Sequence, residues 1–237
     1  MADAKRKRAL ASLAALGALA LAAGSGALGA DAAFAAAEEL ATASVHFEQN
    51  ATDGDNEVVF QVKGGKDGLA ELTIVAPNGR KVVAFSAPER ITLGMRQFRF
   101  ESPEPQNIAS LKAGYPEGEY VFSGKAFSGA TFTGKSTLSH RLPATTTILS
   151  PASEAQGVAA GKLQIRWRAV AGVSAYVVEL KNDESSLSVA ARLPGSSTSF
   201  AVPDGFLATG RKYKLAVGTV GREGNISFVE STFTTRR

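Results

Sequence analysis

After residue 45 the chain carries no long helical periodicity. Apolar and polar residues alternate in short runs, broken by Gly, Pro, Asn and Asp. Neighbouring side chains on a strand point to opposite faces, so each run has one apolar and one polar face. Short alternating runs between turn residues predict a β-sandwich or barrel. In the first half the candidate strands are Glu57–Val62, Leu69–Val75, Lys81–Phe85, Gln97–Glu101, Glu119–Ser123 and Thr131–His140. Turns stand between them at residues 64–68, at Pro77-Asn78-Gly79 and at Pro116-Glu117-Gly118. Asn78-Gly79 is the strongest hairpin signal, because both residues accept positive φ. One short helix is expected at Pro105–Ala113, where Ile108 and Leu111 are three apart.

Arg141–Thr147 lacks bulky periodicity and contains Pro143, as a linker or edge strand would. The chain is therefore cut into residues 42–143 and 144–237, each the size of one sandwich domain. In the second half, Leu163, Ile165 and Trp167 share one face of a strand over Lys162–Arg168. Tyr176, Val178 and Leu180 do so over Ala175–Lys181, and Tyr213, Leu215 and Val217 over Arg211–Val220. Facing sheets can bury these apolar faces against each other. Trp167, Tyr176 and Tyr213 are the expected anchors of that core.

The second half resembles the fibronectin type III domains over residues ~145–236, about the span of one sandwich domain. Four features carry the resemblance. They are Ile165-Arg166-Trp167 on the second strand, Tyr176–Leu180 on the third, Ser197–Pro203 on the fifth, and Leu207-Ala208-Thr209-Gly210-Arg211-Lys212-Tyr213. The last looks like the family's corner, although Thr209 stands where the family usually has Pro. In that corner the Tyr hydroxyl bonds back to the backbone. The phrase Tyr115–Phe122 gives the first half a looser likeness to bacterial immunoglobulin-like domains. Together these imply an all-β fold, with two tandem immunoglobulin-like and fibronectin type III-like sandwiches after an N-terminal signal helix. Such modules are usually rigid spacers or binding modules and usually not enzymes.

Residues 1–32 read as a secretory signal peptide. Lys5, Arg6, Lys7 and Arg8 precede an apolar run over Ala9–Ala23, and Ala30-Asp31-Ala32 offers a cleavage pattern. Ser25-Gly26-Ala27 is a second one. The run is shorter than the ~20 residues that span a bilayer. Looser apolar character continues to Ala37, which leaves an uncleaved anchor as the alternative and, with it, membrane contact. Residues 33–41 read as a flexible mature N-terminus. Removing those four basic residues with Asp3 and Asp31 leaves 22 basic and 20 acidic residues. A balance near zero gives no electrostatic reason to expect nucleic acid.

The chain has no Cys, which excludes disulfides, thiolate metal sites and thiol catalysis. Only His46 and His140 could be imidazole ligands or bases, and both are read as strand residues. Gly129–Ser136 fits the P-loop pattern letter for letter. A phosphate cradle needs a helix to begin at Lys135, but Ser136–Pro143 has no apolar stripe, so a hairpin turning at Ser128-Gly129 is expected. Gly24–Gly29 fits a dinucleotide fingerprint but lies in the leader. Leu142–Thr146 departs from the sortase signal at its fifth residue. Asp53, Asp55 and Glu57 place hard oxygens at alternating positions that could bind calcium, against a plain solvated turn. Glu117 and Glu119 flank a turn glycine, which does not make a glycosidase pair. Arg99 faces away from Phe98 and Phe100, the arrangement of core on one side and solvent on the other. Asn50-Ala51-Thr52 and Asn225-Ile226-Ser227 fit the N-glycosylation pattern.

No catalytic, cofactor-binding or metal-binding residue and no cofactor is therefore expected. The expectation is an exported, periplasmic or extracellular, non-enzymatic binding or spacer protein of the cell envelope. Its partner would be a protein or polysaccharide. A carbohydrate-binding module, and an envelope hydrolase with its site in residues 42–143, are the alternatives.

Overall fold

The computed structural model describes residues 37–66, 68–87, 95–103, 105, 107–182, 184–185 and 187–237. The leader at 1–32, residues 33–36 and the glycine motif at 24–29 lie outside them. Among the described residues no helix is long and apolar enough to cross a membrane.

The elements follow in order as β1 (Glu38–Glu39), β2 (Thr42–Asn50), β3 (Asp55–Lys63), β4 (Leu69–Val75), β5 (Lys81–Ser86), β6 (Gln97–Glu101), α1 (Ile108–Gly114), β7 (Gly118–Ala126) and β8 (Thr131–Leu138). Then come β9 (Ile148–Ser150), β10 (Ala155–Val158), β11 (Gln164–Trp167), β12 (Ala175–Asn182), β13 (Leu187–Pro194), β14 (Ser199–Ala201), β15 (Lys212–Val220) and β16 (Ile226–Thr235). The described residues are all-β apart from α1. That helix is capped by the Asn107 side chain, which accepts from Ser110 N, and it buries Leu111.

One sheet has the order β1-β8-β7-β4-β5, and a small one β14-β11-β9. The third runs β13-β12-β15-β16-β2-β3-β6, with β10 beside β16, and so draws strands from both halves of the chain. Two hydrophobic cores lie against its inner face. The first contains Phe47, Val58, Phe60, Phe98, Leu72, Ile74 and Phe122. The second contains Ile165, Trp167, Tyr176, Leu180, Tyr213, Leu215 and Phe233. Trp167 and Tyr176 pack in a tilted arrangement with ring centroids 5.3 Å apart, and Trp167 Nε1 donates to Ser197 O at 3.1 Å. Tyr213 OH accepts from Ala208 N at 2.8 Å, which pins the turn into β15. A buried phenol with its hydroxyl satisfied adds apolar area without an orphaned polar atom.

The turns form as their residues demand. Gly79 takes φ +80 between β4 and β5, whereas Asn78 does not enter the positive-φ region and instead accepts from Arg80 N through its Oδ1. The P-loop pattern is the β7–β8 hairpin. Gly129 turns the chain at φ +92, Lys135 pairs with exposed Glu119 at 3.0 Å, and Ser136 Oγ accepts from Val45 N. Gly134 lies against Ala43, and a Cβ there would stand 2.5 Å from the Ala43 Cβ. The second glycine of the pattern thus serves the close approach of β8 to β2.

Several sequence readings are corrected. β8 stops at Leu138, so His140 is not a strand residue. Its Nε2 lies 2.8 Å from Tyr115 O, and its backbone N donates to Glu117 Oε1. Residues 38–40 are ordered: Glu38 and Glu39 pair with β8, and Leu40 is buried in the first core. Of the two readings of Arg141–Thr147, the edge strand is not found, and the segment is a linker held down along its length. Pro143 O accepts from Ser227 Oγ, Ala144 O from Thr219 Oγ1, and Thr146 Oγ1 donates to Arg168 O. Asn225 is 1% exposed, so its glycosylation pattern is closed off in the folded chain.

Candidate functional site

The third sheet is continuous because β16 pairs with β2 in parallel, with Ile226 opposite Glu48, Ser227 opposite Gln49 and Phe228 opposite Asn50. Side chains reinforce the seam. Gln49 Nε2 donates to Ser227 Oγ, and Glu230 N donates to Thr52 Oγ1. Asn225 is the hub. Its Oδ1 accepts from Phe47 N at 2.8 Å, and its Nδ2 donates to Ser139 O and Arg141 O, each at 2.9 Å. One amide side chain thereby joins β2, the connecting segment and the start of β16.

Strand alternation sends His46, Glu48, Glu57, Arg99 and Glu101 to the outer face of this sheet, away from the first core. On the neighbouring strands the outer face carries Val177 and Glu179 (β12), Ala190 and Arg192 (β13), Ala216 (β15), and Ile226, Phe228 and Glu230 (β16). Ala175, Val177, Ala216, Val220, Ile226 and Phe228 form a small apolar cluster of their own. The outer face is hollowed beside this cluster. A groove of about 350 Å³ lies in it, walled by Ser44, His46, Glu48 and Arg99 on one side and Val177, Ala190, Arg192 and Phe228 on the other. A smaller hollow of about 50 Å³ continues toward Asp53, Asp55, Glu57, Lys214 and Glu230, and shares Glu48, Glu179 and Phe228 with the first.

Charged side chains run in a chain along one wall. His46 Nε2 is 2.6 Å from Glu48 Oε1, Arg99 Nη2 donates to Glu48 Oε2 at 3.3 Å, and Arg99 Nε to Glu101 Oε1 at 2.7 Å. Arg99 therefore does not face solvent; its side chain is only 17% exposed. Burial opposes the charge of Glu48, but the His46 hydrogen bond and the positive groups of His46 and Arg99 outweigh it and hold the carboxyl below its usual range. Glu57, directly across from Glu48 on β3, is treated oppositely. Burial, then the charges of Glu48 and Glu101, push it up to about 8. The sequence reading set His46 and Arg99 down as ordinary strand residues and missed Glu48. Opposite charges at Glu48 and Arg99, both on polar strand faces, were the available signal.

The other candidates sit elsewhere or do other work. Asp53 Oδ1 accepts from Asp55 N in the β2–β3 turn, and Asn56 Nδ2 donates to Gly54 O. Among the described residues no three His, Asp or Glu side chains are placed to hold a metal ion. Glu117 and Glu119 stay exposed on β7 and its turn. Trp167, Tyr176 and Tyr213 lie in the second core and do not line the groove.

The groove floor depends on Gly218. A Cβ at that position would stand 2.6 Å from Phe228 Cε1 and 2.9 Å from Ile226 Cγ2. Gly218→Ala must push the Phe228 ring into the groove. The expected cost is about 1–3 kcal/mol, the range for overpacking a rigid site, read by urea unfolding. Stability equal to the wild type would show that Phe228 does not pack on Gly218.

No family model and no curated protein matches the chain. Among solved structures it is similar to a two-domain fibronectin type III segment of chicken tenascin, with 14% identity and a TM-score of 0.32 over 84% of this chain and 100% of that one. It is also similar to the fibronectin(III)-like modules of Clostridium thermocellum CbhA, with 9% identity and a TM-score of 0.32 over 84% and 90% of the two chains. The fn3 domain of human collagen alpha-1(XX) chain matches 40% of this chain and 83% of its own at 22% identity and a TM-score of 0.30.

Proposed function

We propose that the chain is an exported, non-enzymatic binding protein of the cell envelope, a fibronectin type III-like sandwich joined to an immunoglobulin-like one. Their shared sheet presents the groove to a partner. The observation that carries this reading is that groove, whose walls come from β2, β3 and β6 on one side and β12, β13 and β16 on the other. Its volume falls at the lower end of ligand pockets, roughly 300–1,000 Å³. A surface that exists only when two halves of a chain share a sheet suits recognition, and the seam bonds keep it preformed.

The chemistry of the walls favours binding over hydrolysis. Both oxygens of Glu48 are engaged, by His46 and Arg99. Glu48 and Glu57 are neighbours on one sheet face, whereas glycoside hydrolysis needs two carboxyls flanking a scissile bond. A sugar platform finds little support either. Among the described residues the exposed large apolar side chains are Ile108, Leu149 and Leu187, and none is aromatic.

The test is a pull-down from native envelope extract with the purified protein and with Ala190→Lys, which places a long side chain in the groove. A partner held saturably by the wild type and lost by Ala190→Lys is expected. Capture of the same partners by both would remove the groove from the reading. Cell fractionation with N-terminal sequencing checks export, and a protein that keeps Met1 in the cytosolic fraction would overturn it.

A further inference from the structure

The outer strand of an open sheet turns unpaired N–H and C=O groups toward water, and a second strand can pair with them unless the edge is short, charged, bulged or interrupted by Pro. Most edges here carry such a device. β1 has two residues, and β9 and β14 have three each. β6 has five, with Arg99 and Glu101 among them. β5 opens on Lys81, and its ladder slips between Ile74 and Val75. β13 has none of these devices. Its eight residues all stand in unbroken register with β12, it contains no Lys, and Pro194 is its last residue. Its free backbone groups can be assigned. Gly221 N donates to Asn225 O, so odd-numbered residues of β15 bond to β16 and even-numbered ones to β12. Carried one strand further, the alternation has Leu187, Val189, Ala191 and Leu193 bond to β12. The N–H and C=O groups of Ser188, Ala190 and Arg192 therefore point outward, and none of them meets a partner among the described residues.

We infer that β13 pairs antiparallel with β13 of a second copy of this chain, about a twofold axis at Ala190. The second copy is the occupant because the strand is complementary to itself in this register. Ser188 stands opposite the partner's Arg192, Ala190 opposite the partner's Ala190, and Arg192 opposite the partner's Ser188. These are the residues with outward backbone groups, so each pair exchanges both its bonds. On the inner face Leu187, 47% exposed in the single chain, meets the partner's Leu193. Val189 meets the partner's Ala191, and both Val189 and Leu193 already pack against the second core. Other registers fit worse. An axis at Ala191 sets Ser188 against Pro194, which has no N–H to give. An axis at Arg192 sets two guanidinium groups directly against each other. An axis at Val189 leaves Arg192 and Leu193 with no strand residue opposite. The axis at Ala190 stands perpendicular to the sheet, so the third sheet runs on through both copies and both outer faces look the same way. Such an isologous contact closes at two copies.

The experiment is sedimentation equilibrium of the purified protein over a concentration series. The mass should rise to that of two chains and stop there. Ala190→Pro removes the central outward N–H and leaves the bonds to β12 in place, the one setting in which a strand tolerates proline. It should sediment as a single chain at every concentration. Ser188 tests the register by charge. Ser188→Asp faces the partner's Arg192 twice in the dimer and should tighten it by about two- to tenfold. Ser188→Arg sets like charges together in the same two places and should weaken it by a similar factor. Ser188 is exposed at the sheet edge, so circular dichroism and urea unfolding of both variants should match the wild type. If Ala190→Pro fails to fold, the Ser188 pair still decides. A wild type that stays a single chain, a mass that climbs past two, dimerisation of folded Ala190→Pro at the wild-type concentration, or equal association by the two Ser188 variants would each overturn the inference.

Discussion

Asn225→Ala is expected to lower stability by about 3–5 kcal/mol, near the upper end of single-site effects. The side chain is buried and its amide serves four partners at once: Phe47 N, Ser139 O, Ser139 Oγ and Arg141 O. Truncation leaves the Phe47 N–H without an acceptor in a residue with no exposure, and each such orphan costs about 1–3 kcal/mol. Two carbonyls lose their donor at the same time. Asn225→Asp keeps the acceptor for Phe47 N but turns a carboxylate oxygen toward two carbonyls, so a loss of similar size is expected.

The change should also alter cooperativity. Trp167, the only tryptophan, lies in the second core, so its fluorescence follows that sandwich alone. Far-UV circular dichroism follows both. In the wild type the two probes should report one shared urea transition, as a single cooperative unit does. In Asn225→Ala they should separate, because the seam no longer couples the cores. Coincident probes in the variant, with stability within about 1 kcal/mol of the wild type, would show that Asn225 is not the coupling residue.

Strands were legible where one face is apolar and the other meets solvent. Leu69–Val75 and Gln97–Glu101 were read to the residue, and Asn78-Gly79 marked its hairpin. Elsewhere the alternation failed for a physical reason. β16 is covered on both faces: Phe228 packs in the outer cluster while Phe233 packs in the second core. A strand buried twice has no polar face to alternate with. β13 is the converse, an edge strand with little buried on either side. β2 carries His46 and Glu48 where a solvent face is expected, and those residues are buried because β16 docks alongside. The pairing joins positions 178 apart, and no local pattern carries that information. The groove was hidden for the same reason. Each of its charges looks like ordinary strand surface until the second sandwich is laid beside the first.

Glu48→Gln is expected to cost about 3 kcal/mol at neutral pH, the lower bound for breaking a buried ion pair by removing one partner. Arg99 keeps Glu101 but loses the deeper of its two carboxylates. The larger interest lies in the pH dependence, because Glu48 and Glu57 act with opposite signs. Glu48 is held below the ordinary value of 4.5, so its contribution is present above that value and is lost as pH falls through its lower native one. Glu57 is raised from 4.5 to about 8, so the native state keeps a proton that the unfolded chain has released. Stability must then fall as pH rises from about 4.5 to about 8 and level off beyond. Screening by solvent at the half-buried Glu57 limits that fall to the order of 1 kcal/mol. The groups that set this balance are His46, Glu48, Asp55, Arg99 and Glu101 on its own side, with Lys214, Glu179 and Glu230 across the hollow. Glu57→Gln should match the wild type near pH 4, where Glu57 is protonated in both states, and exceed it by about 1 kcal/mol at pH 9. Glu48→Gln removes the largest like-charge contribution to the raised Glu57, so its own decline between pH 4.5 and 8 should be shallower than the wild type's. Urea unfolding of the three proteins at matched ionic strength from pH 4 to pH 9 decides the matter. Parallel curves for wild type and Glu48→Gln would mean that the two carboxyls do not sense each other across the β2–β3 pair.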